Sequence, residues 1–270
     1  MAIRVCIAGA AGRMGQRLIA LCADDPELAL GAAVEQPGHA WIGKDPGPLC
    51  GLGRELKVAV ADSLSAARGI DVLLDFTVHT AATQHAEQAA ALSLPAVIGA
   101  TGMTDDEKKR IAKAAEKVPV IHAPNFSVGV NVLCKTAELV ARILGDGYDV
   151  EILEAHHNQK LDAPSGTALA LAEAIARGLN RNLREVAVYG RHGMVGKRPA
   201  KEIGIHALRL ADIVGEHTAY FAIGGERLEL THKASSRDTF ARGALRAAKW
   251  LIRNKKGPGM YSMAQVLGLE

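Results

Sequence analysis

The chain has 270 residues, 49% hydrophobic and 23% charged, with a formal net charge of +3, which is enough apolar mass for one large domain or two ordinary ones. So small a charge, on basic residues that are scattered rather than striped, argues against a nucleic-acid partner, and no uninterrupted apolar run reaches membrane-spanning length. Cys6, Cys22, Cys50 and Cys134 form no CxxC pair, which argues against a zinc ribbon or a disulfide framework and fits a reducing, cytoplasmic compartment.

The chain opens with "MAIRVCIAGA", which runs straight into a glycine turn and carries no secretory leader pattern. Ile3 to Ala8 is a short apolar, β-branched run of the kind that forms a buried parallel strand. Gly9, Gly12 and Gly15 follow, and then "QRLIALC" has helical periodicity. Strand, glycine turn and helix are the context of a dinucleotide-binding turn. Glycine allows the tight turn and the close approach of a pyrophosphate, and the helix N-terminus offers it unpaired N–H groups. The spacing is GxxGxxG, because position 10 is alanine.

A second apolar run, "LALGAAVE", ends in Glu35, twenty residues after Gly15. A carboxylate there accepts hydrogen bonds from the adenosine ribose hydroxyls. It repels a 2′-phosphate, and Gln36 supplies no compensating charge, although Arg13 in the turn can reach an adenosine phosphate. NADH is therefore expected to serve at least as well as NADPH.

The α/β rhythm continues through "DVLLDFT" (71–77), the helical "AATQHAEQAAALS", "PAVIGATG" (95–102) and "VPVIHAPNFS" (118–127). Between the last two, Thr104 and Glu107 form a capping-box signature. Ligands of open parallel sheets bind beyond the carboxyl ends of strands. Thr77, Gly99 to Thr101, and Ala123 to Phe126 stand at such ends and are expected to line the nicotinamide half of the cofactor.

After about residue 127 the pattern changes. "SVGVNVLCKTAELVARIL" reads as a long helix, "DVEILEAHH" as a strand and "SGTALALAEAIARGL" as a helix. Three β-rich stretches follow, and the last splits at Gly224-Gly225 into a hairpin. Mostly hairpin-connected strands with helices on one face predict an α+β layer. The segment 192–202, with two glycines and a proline, reads as a mobile loop or an oligomer arm. "DTFARGALRAAKWLIRNKK" reads as an amphipathic helix that returns to the first domain. Its basic end, "RNKKG" at 253–257, reads as a solvated, dipole-compensating terminus. The predicted domains are 1–127 plus 238–270 for the dinucleotide and 128–237 for substrate and oligomerisation.

Residues 154–168, "EAHHNQKLDAPSGTA", concentrate titratable chemistry before a helix. Glu154, His156 and His157 leave a strand, and Lys160 and Asp162 follow in a short loop. Pro164 and Ser165 mark the helix start, with Gly166 and Thr167 in its first turn. Unpaired amides there bind a carboxylate. Lys160 adds positive charge, and a histidine offers a proton near neutral pH. Adjacent histidines are a poor chelating pair, and no thiolate or carboxylate cluster accompanies them, so no metal is expected.

The stretches "GAAGRMG", "DFT", "APNFSVGVN" and "EAHHNQKLDAPSGTA", with "THKASSRDTFARGA" near the end, together resemble the dihydrodipicolinate reductase family of lysine and diaminopimelate biosynthesis. The resemblance implies a Rossmann-like parallel-sheet domain, a second α+β domain that builds a homotetramer, and NAD(P)H-dependent reduction of a cyclic dicarboxylic imine to tetrahydrodipicolinate. It implies His156 as proton donor with Lys160 as its partner, and substrate held by His157, Lys160, Ser165, Gly166 and Thr167. On the cofactor side it implies Gly9, Ala10, Ala11, Gly12, Arg13, Met14, Glu35, Phe76, Gly99, Ala100, Thr101, Ala123, Pro124, Asn125, Phe126 and Arg237. Many family members carry arginine after the strand-end acid, and Gln36 departs from that. Closure of a cleft between the domains would bring cofactor and substrate together.

Three rivals are weaker. A semialdehyde dehydrogenase needs a catalytic cysteine, and Cys134 lies in an apolar helical pattern. Homoserine-type dehydrogenases lack the His-His, Lys, Ser-Gly-Thr arrangement. A non-catalytic NAD(P)-sensing module would leave the loaded stretch at 154–168 idle.

Overall fold

The computed structural model describes residues 1–254 and 256–270. Lys255, within the basic run at 253–257, lies outside the described residues. Two compact units emerge: Met1–Ser127 with Arg237–Glu270, and Val128–Ser236. The first unit opens with β1 (Ile3–Ala8), α1 (Arg13–Ala23), β2 (Leu28–Val34), α2 (Pro46–Leu49), β3 (Val60–Ala61) and β4 (Val72–Asp75). It continues through α3 (His79–Ala91), β5 (Ala96–Ile98), α4 (Asp105–Ala115) and β6 (Pro119–His122). The second unit holds α5 (Val128–Leu144), β7 (Asp149–His156), α6 (Gly166–Gly178), α7 (Leu183–Val186), β8 (Ala187–Tyr189), β9 (Ile203–Arg209), β10 (Gly215–Ile223) and β11 (Glu226–Ala234). The chain then returns with α8 (Asp238–Arg253), β12 (Gly259–Tyr261) and α9 (Met263–Leu267).

The first unit is a seven-stranded sheet in the order β12-β6-β5-β4-β1-β2-β3, and every pairing is parallel. A parallel sheet must be covered on both faces, and β1 shows how. Val5 and Ile7 pack with Leu18 and Ile19 of α1 and Leu245 and Ala248 of α8. Cys6 and Ala8 face the other way, with Ala82 and Ala86 of α3 and Ile111 of α4. Chain order reverses at β1, the position where ligands of doubly wound sheets bind. The capping box at α4 forms in full: Thr104 Oγ1 accepts the Glu107 N–H at 3.2 Å, and Glu107 Oε2 accepts the Thr104 N–H at 2.8 Å. α8 packs tightly because Gly243 has no side chain; a Cβ there would stand 1.8 Å from the Phe126 carbonyl oxygen.

The second unit is a five-stranded sheet ordered β11-β10-β7-β9-β8. It is mixed, not mostly hairpin-connected as the sequence predicts. β10 pairs antiparallel with β11 and β7, whereas β9 runs parallel to both β7 and β8. The segment after β8 carries the chain back to the starting end of the sheet, a reversal that alternation of side chains does not encode. α5 and α6 cover one face, with Leu133, Ala137, Leu171 and Ile175 against Ile152, Ile205 and Phe221. On the other face, Arg191 and Arg198, both in the connection between β8 and β9, donate to Glu151. Between them Met194 is fully exposed.

Candidate active site

The first unit sets a glycine turn between the end of β1 and the start of α1. Gly9 has φ +73°, in the left-handed region open to glycine. A Cβ on Gly15 would lie 2.0 Å from the Gly9 carbonyl oxygen, so only glycine lets α1 start against the strand end. Gly12 is the N-cap and offers no capping side chain, and the first turn of α1 holds no acid. That leaves the positive end of the helix for an external anion.

Glu35 is fixed beside this turn. One carboxylate oxygen accepts the Ala11 N–H at 2.9 Å and the other the Gln36 N–H at 2.9 Å. Gly9, Gly12, Glu35, Phe76 and His85 are among the residues lining a cleft of about 590 Å³. Asp62 and His39 line it as well; sequence reasoning missed both, since neither stands in a motif. The Phe76 ring occupies the space beside Gly99, where a Cβ would approach it to 2.2 Å. It lies 5.4 Å from the Phe126 ring.

The remaining residues expected on the cofactor side divide by burial. Ala10 and Phe126 are buried in the core, so only their backbones can serve a ligand. Ala100 accepts from His122 Nε2 at 3.2 Å, Ala123 donates to Ile98, and the Asn125 side chain accepts the Ser127 N–H. Arg13 and Met14 open α1, Arg237 is the N-cap of α8, and Thr101 and Pro124 are exposed. Asp75, wholly buried at the end of β4, was not foreseen. It accepts from Thr77 Oγ1 at 2.7 Å and from His85 Nδ1 at 2.6 Å. That brings β4 and α3 together at the cleft wall.

The second unit positions the titratable cluster. His156 and Glu154 share the helix-covered face of β7, since alternate residues share a face. The structure therefore separates His156 from His157, which stands beyond the strand end and is only half-buried. His156 Nδ1 lies 2.6 Å from Glu154 Oε2, and its ring meets His217 edge-on at 5.1 Å between centroids. Burial drives the His217 imidazole down to about 3, so it is neutral. Lys160 bonds Asp162 at 2.8 and 3.0 Å. Burial opposes ionisation of Asp162, yet the Lys160 ammonium holds its carboxyl below the usual range.

Ser165 caps α6 by accepting the Ala168 N–H at 3.1 Å. No acid sits in the first turn of α6, and space is open around Gly166, where a Cβ would meet nothing within 4 Å. The Ala163–Pro164 peptide is cis. Thus His156, Lys160, Ser165, Gly166 and Thr167 gather at the end of β7 and the start of α6. Arg209 and His217, from β9 and β10, join them and were not foreseen.

The four thiols are free. Burial pushes Cys134 up to about 11 and Cys6 up to about 12, so neither is a thiolate nucleophile near neutral pH. Among the described residues, no group of three or more histidine, cysteine or carboxylate side chains could hold a metal. No described helix is long and apolar enough to cross a membrane.

Two family models match the chain: "Dihydrodipicolinate reductase, N-terminus" over residues 3–126 and "Dihydrodipicolinate reductase, C-terminus" over residues 129–267. The chain belongs to the dihydrodipicolinate reductase family. The 4-hydroxy-tetrahydrodipicolinate reductase of Anaeromyxobacter dehalogenans is 53% identical over 268 residues, covering 99% of this chain and 98% of the relative. The reductase of the same name from Magnetococcus marinus is 50% identical over 270 residues and all of both chains. Among solved structures, a dipicolinate-bound dihydrodipicolinate reductase from Paenisporosarcina sp. TG-14 superposes with a TM-score of 0.75 at 26% identity. It covers 98% of this chain and 99% of that one. As a family member the chain is an oxidoreductase with a Rossmann-like domain and a nicotinamide dinucleotide as reductant.

Proposed function

We propose that this reductase converts 4-hydroxy-tetrahydrodipicolinate to tetrahydrodipicolinate in lysine and diaminopimelate biosynthesis. The observation that carries this reading is the second-unit cluster: an imidazole held by a buried carboxylate beside a capped helix start and a lysine. Such a cluster suits a dianionic substrate that must receive a proton. A reduced nicotinamide dinucleotide, when bound, supplies the hydride.

The chain's own residues supply the rest. The first-turn amides of α6, at Gly166 and Thr167, take a substrate carboxylate, and Ser165 fixes the start of that turn. His157 and the Lys160 ammonium complete its polar surroundings. His156 delivers a proton to the carbon beside the reduced position, and Lys160 balances negative charge as it develops. In the first unit, the Gly9–Met14 turn takes the pyrophosphate, and Glu35 accepts from the ribose hydroxyls. Phe76, Gly99 to Thr101, Ala123 to Phe126 and Arg237 complete the cofactor side. Glu35 and Asp62 are two carboxylates on the wall of one cleft; both disfavour a 2′-phosphate, so NADH serves at least as well as NADPH.

A homotetramer and a cytoplasmic location complete the reading. The uncovered face of the second sheet supports the tetramer, with Leu208 of β9 42% exposed. Light scattering of the purified protein tests it, and a monomer at micromolar concentration would contradict it.

The activity test is spectrophotometric. NADH oxidation is followed with the product of dihydrodipicolinate synthase as substrate. His156→Ala and Lys160→Ala should each lower kcat by about 10²–10⁴-fold, the range for acid–base groups. Unaltered turnover in both would remove them from the mechanism.

A further inference from the structure

Glu154 enters the mechanism above only as the buried carboxylate that holds His156, yet four hydrogen bonds converge on it. Its side chain is 0% exposed, a costly place for a charge unless donors surround it. They do. Oε2 receives His156 Nδ1 at 2.6 Å and Arg209 at 2.9 Å. Oε1 receives Arg209 at 3.0 Å and the Ser165 N–H at 3.0 Å. Strand register brings these groups together: β10 sets His217 opposite Glu154, and β9 sets Arg209 opposite His156.

A carboxylate only accepts, so the contact requires the His156 proton on Nδ1 and leaves Nε2, beside Gly215, as the nitrogen not bound to Glu154. We infer that Glu154 is a positioning residue for the proton donor: it fixes the tautomer of His156, holds the ring's positive charge, and ties that ring to the substrate-binding start of α6 through the Ser165 amide. This rests on the reading of His156 as the donor.

The charged and titratable groups around the ring are few. Arg209 on β9 pairs with Glu154, and Lys160 in the β7–α6 loop pairs with Asp162. His217 on β10 is neutral, and His232 stands opposite it on β11. Among the described residues, Glu154 is the carboxylate in contact with the ring. Burial works against its charge, but His156, Arg209 and the Ser165 amide together bring its carboxyl down to about 2. It therefore stays ionised wherever the enzyme works.

The test uses the full-length enzyme. In Glu154→Gln, kcat should fall at least tenfold near pH 7.5. The alkaline limb of its pH profile should move down by about one pH unit, the size of effect expected when an adjacent opposite charge is removed. Glu154→Asp should keep the limb near its wild-type position, and KM for NADH should hold in both. Independently, ¹⁵N NMR of the wild-type protein at alkaline pH should show His156 as the Nδ1–H tautomer. An unshifted limb in Glu154→Gln, or an Nε2–H tautomer in the wild type, overturns the inference. If the variants do not fold, the wild-type tautomer decides alone. Normal turnover in His156→Gln would instead remove the proton-donor reading, and the tautomer would still report whether Glu154 orients the ring.

Discussion

At Glu35 both carboxylate oxygens are already engaged by backbone amides, those of Ala11 and Gln36. Each oxygen keeps a further lone pair for a ribose hydroxyl, so the amides aim the carboxylate without consuming it. A 2′-phosphate arriving there would meet the carboxylates of Glu35 and Asp62. Gln36→Arg should therefore raise the ratio of kcat/KM for NADPH over NADH by about fivefold, the ~1 kcal/mol contributed by a partly exposed ion pair. Steady-state kinetics with both cofactors read this directly; an unchanged ratio would show that the 2′ position lies away from residue 36. A contrasting case is Gly166. Since a Cβ there meets nothing within 4 Å, Gly166→Ala should leave unfolding free energy within about 0.5 kcal/mol of wild type. Any rise in the substrate KM then reports a ligand that approaches the helix start closely.

Elements depend on contacts that admit no side chain at all. At Gly178, a Cβ would stand 2.3 Å from the Glu138 carbonyl oxygen, so α6 rests almost directly on the backbone of α5. Gly178→Ala must push the two helices apart and should destabilise the second unit by about 2 kcal/mol or more, as overpacking of a tight contact does. Urea unfolding followed by circular dichroism checks it; a midpoint equal to wild type would mean the helices slide without cost. Much at this scale was legible in the residues. β1 spans the very residues, Ile3–Ala8, that the apolar run marks, and the Thr104–Glu107 capping box starts α4 where the spacing places it. Strand ends were legible because apolar runs stop at glycine or polar residues. The edge strands β3 and β12 were not legible, being two and three residues long. Nor was the direction of β9. Period-two alternation tells which face a side chain takes but not which neighbour it meets. For that reason His156 and Lys160 could be picked from one local stretch, whereas Arg209 and His217 enter only through the register of other strands. Asp75 and His85 were hidden similarly, one looking like the polar end of a strand and the other like a helix surface.

Across the whole molecule, several groups titrate differently folded and unfolded, and their signs agree. His217 is carried down to about 3 by burial first and by the neighbouring His156 second, and burial also lowers His122. Between the folded value of His217 and the ordinary histidine value near 6.5, the unfolded chain binds the extra proton. Stability that is complete above about pH 6.5 is therefore lost as pH falls toward 3. Glu151 and Glu154 act lower on the scale. Burial would raise both, but Arg191, His206 and Arg198 at Glu151, and His156, Arg209 and Ser165 at Glu154, hold them at about 2. Their contribution is complete above the ordinary glutamate value near 4.3 and disappears as pH falls through 2. The melting temperature should accordingly decline in two stages, a histidine stage beginning below about pH 6.5 and a steeper carboxylate stage below about 4.5. His217→Gln, which keeps a polar group near Ser165 but binds no proton, should flatten the first stage and leave the second in place. Thermal melts of both proteins from pH 8 to pH 3 separate the two contributions. A His217→Gln curve parallel to wild type between pH 6.5 and 4.5 would mean that this imidazole charges without opposing the fold, and that the buried row opposite Glu154 is open to water.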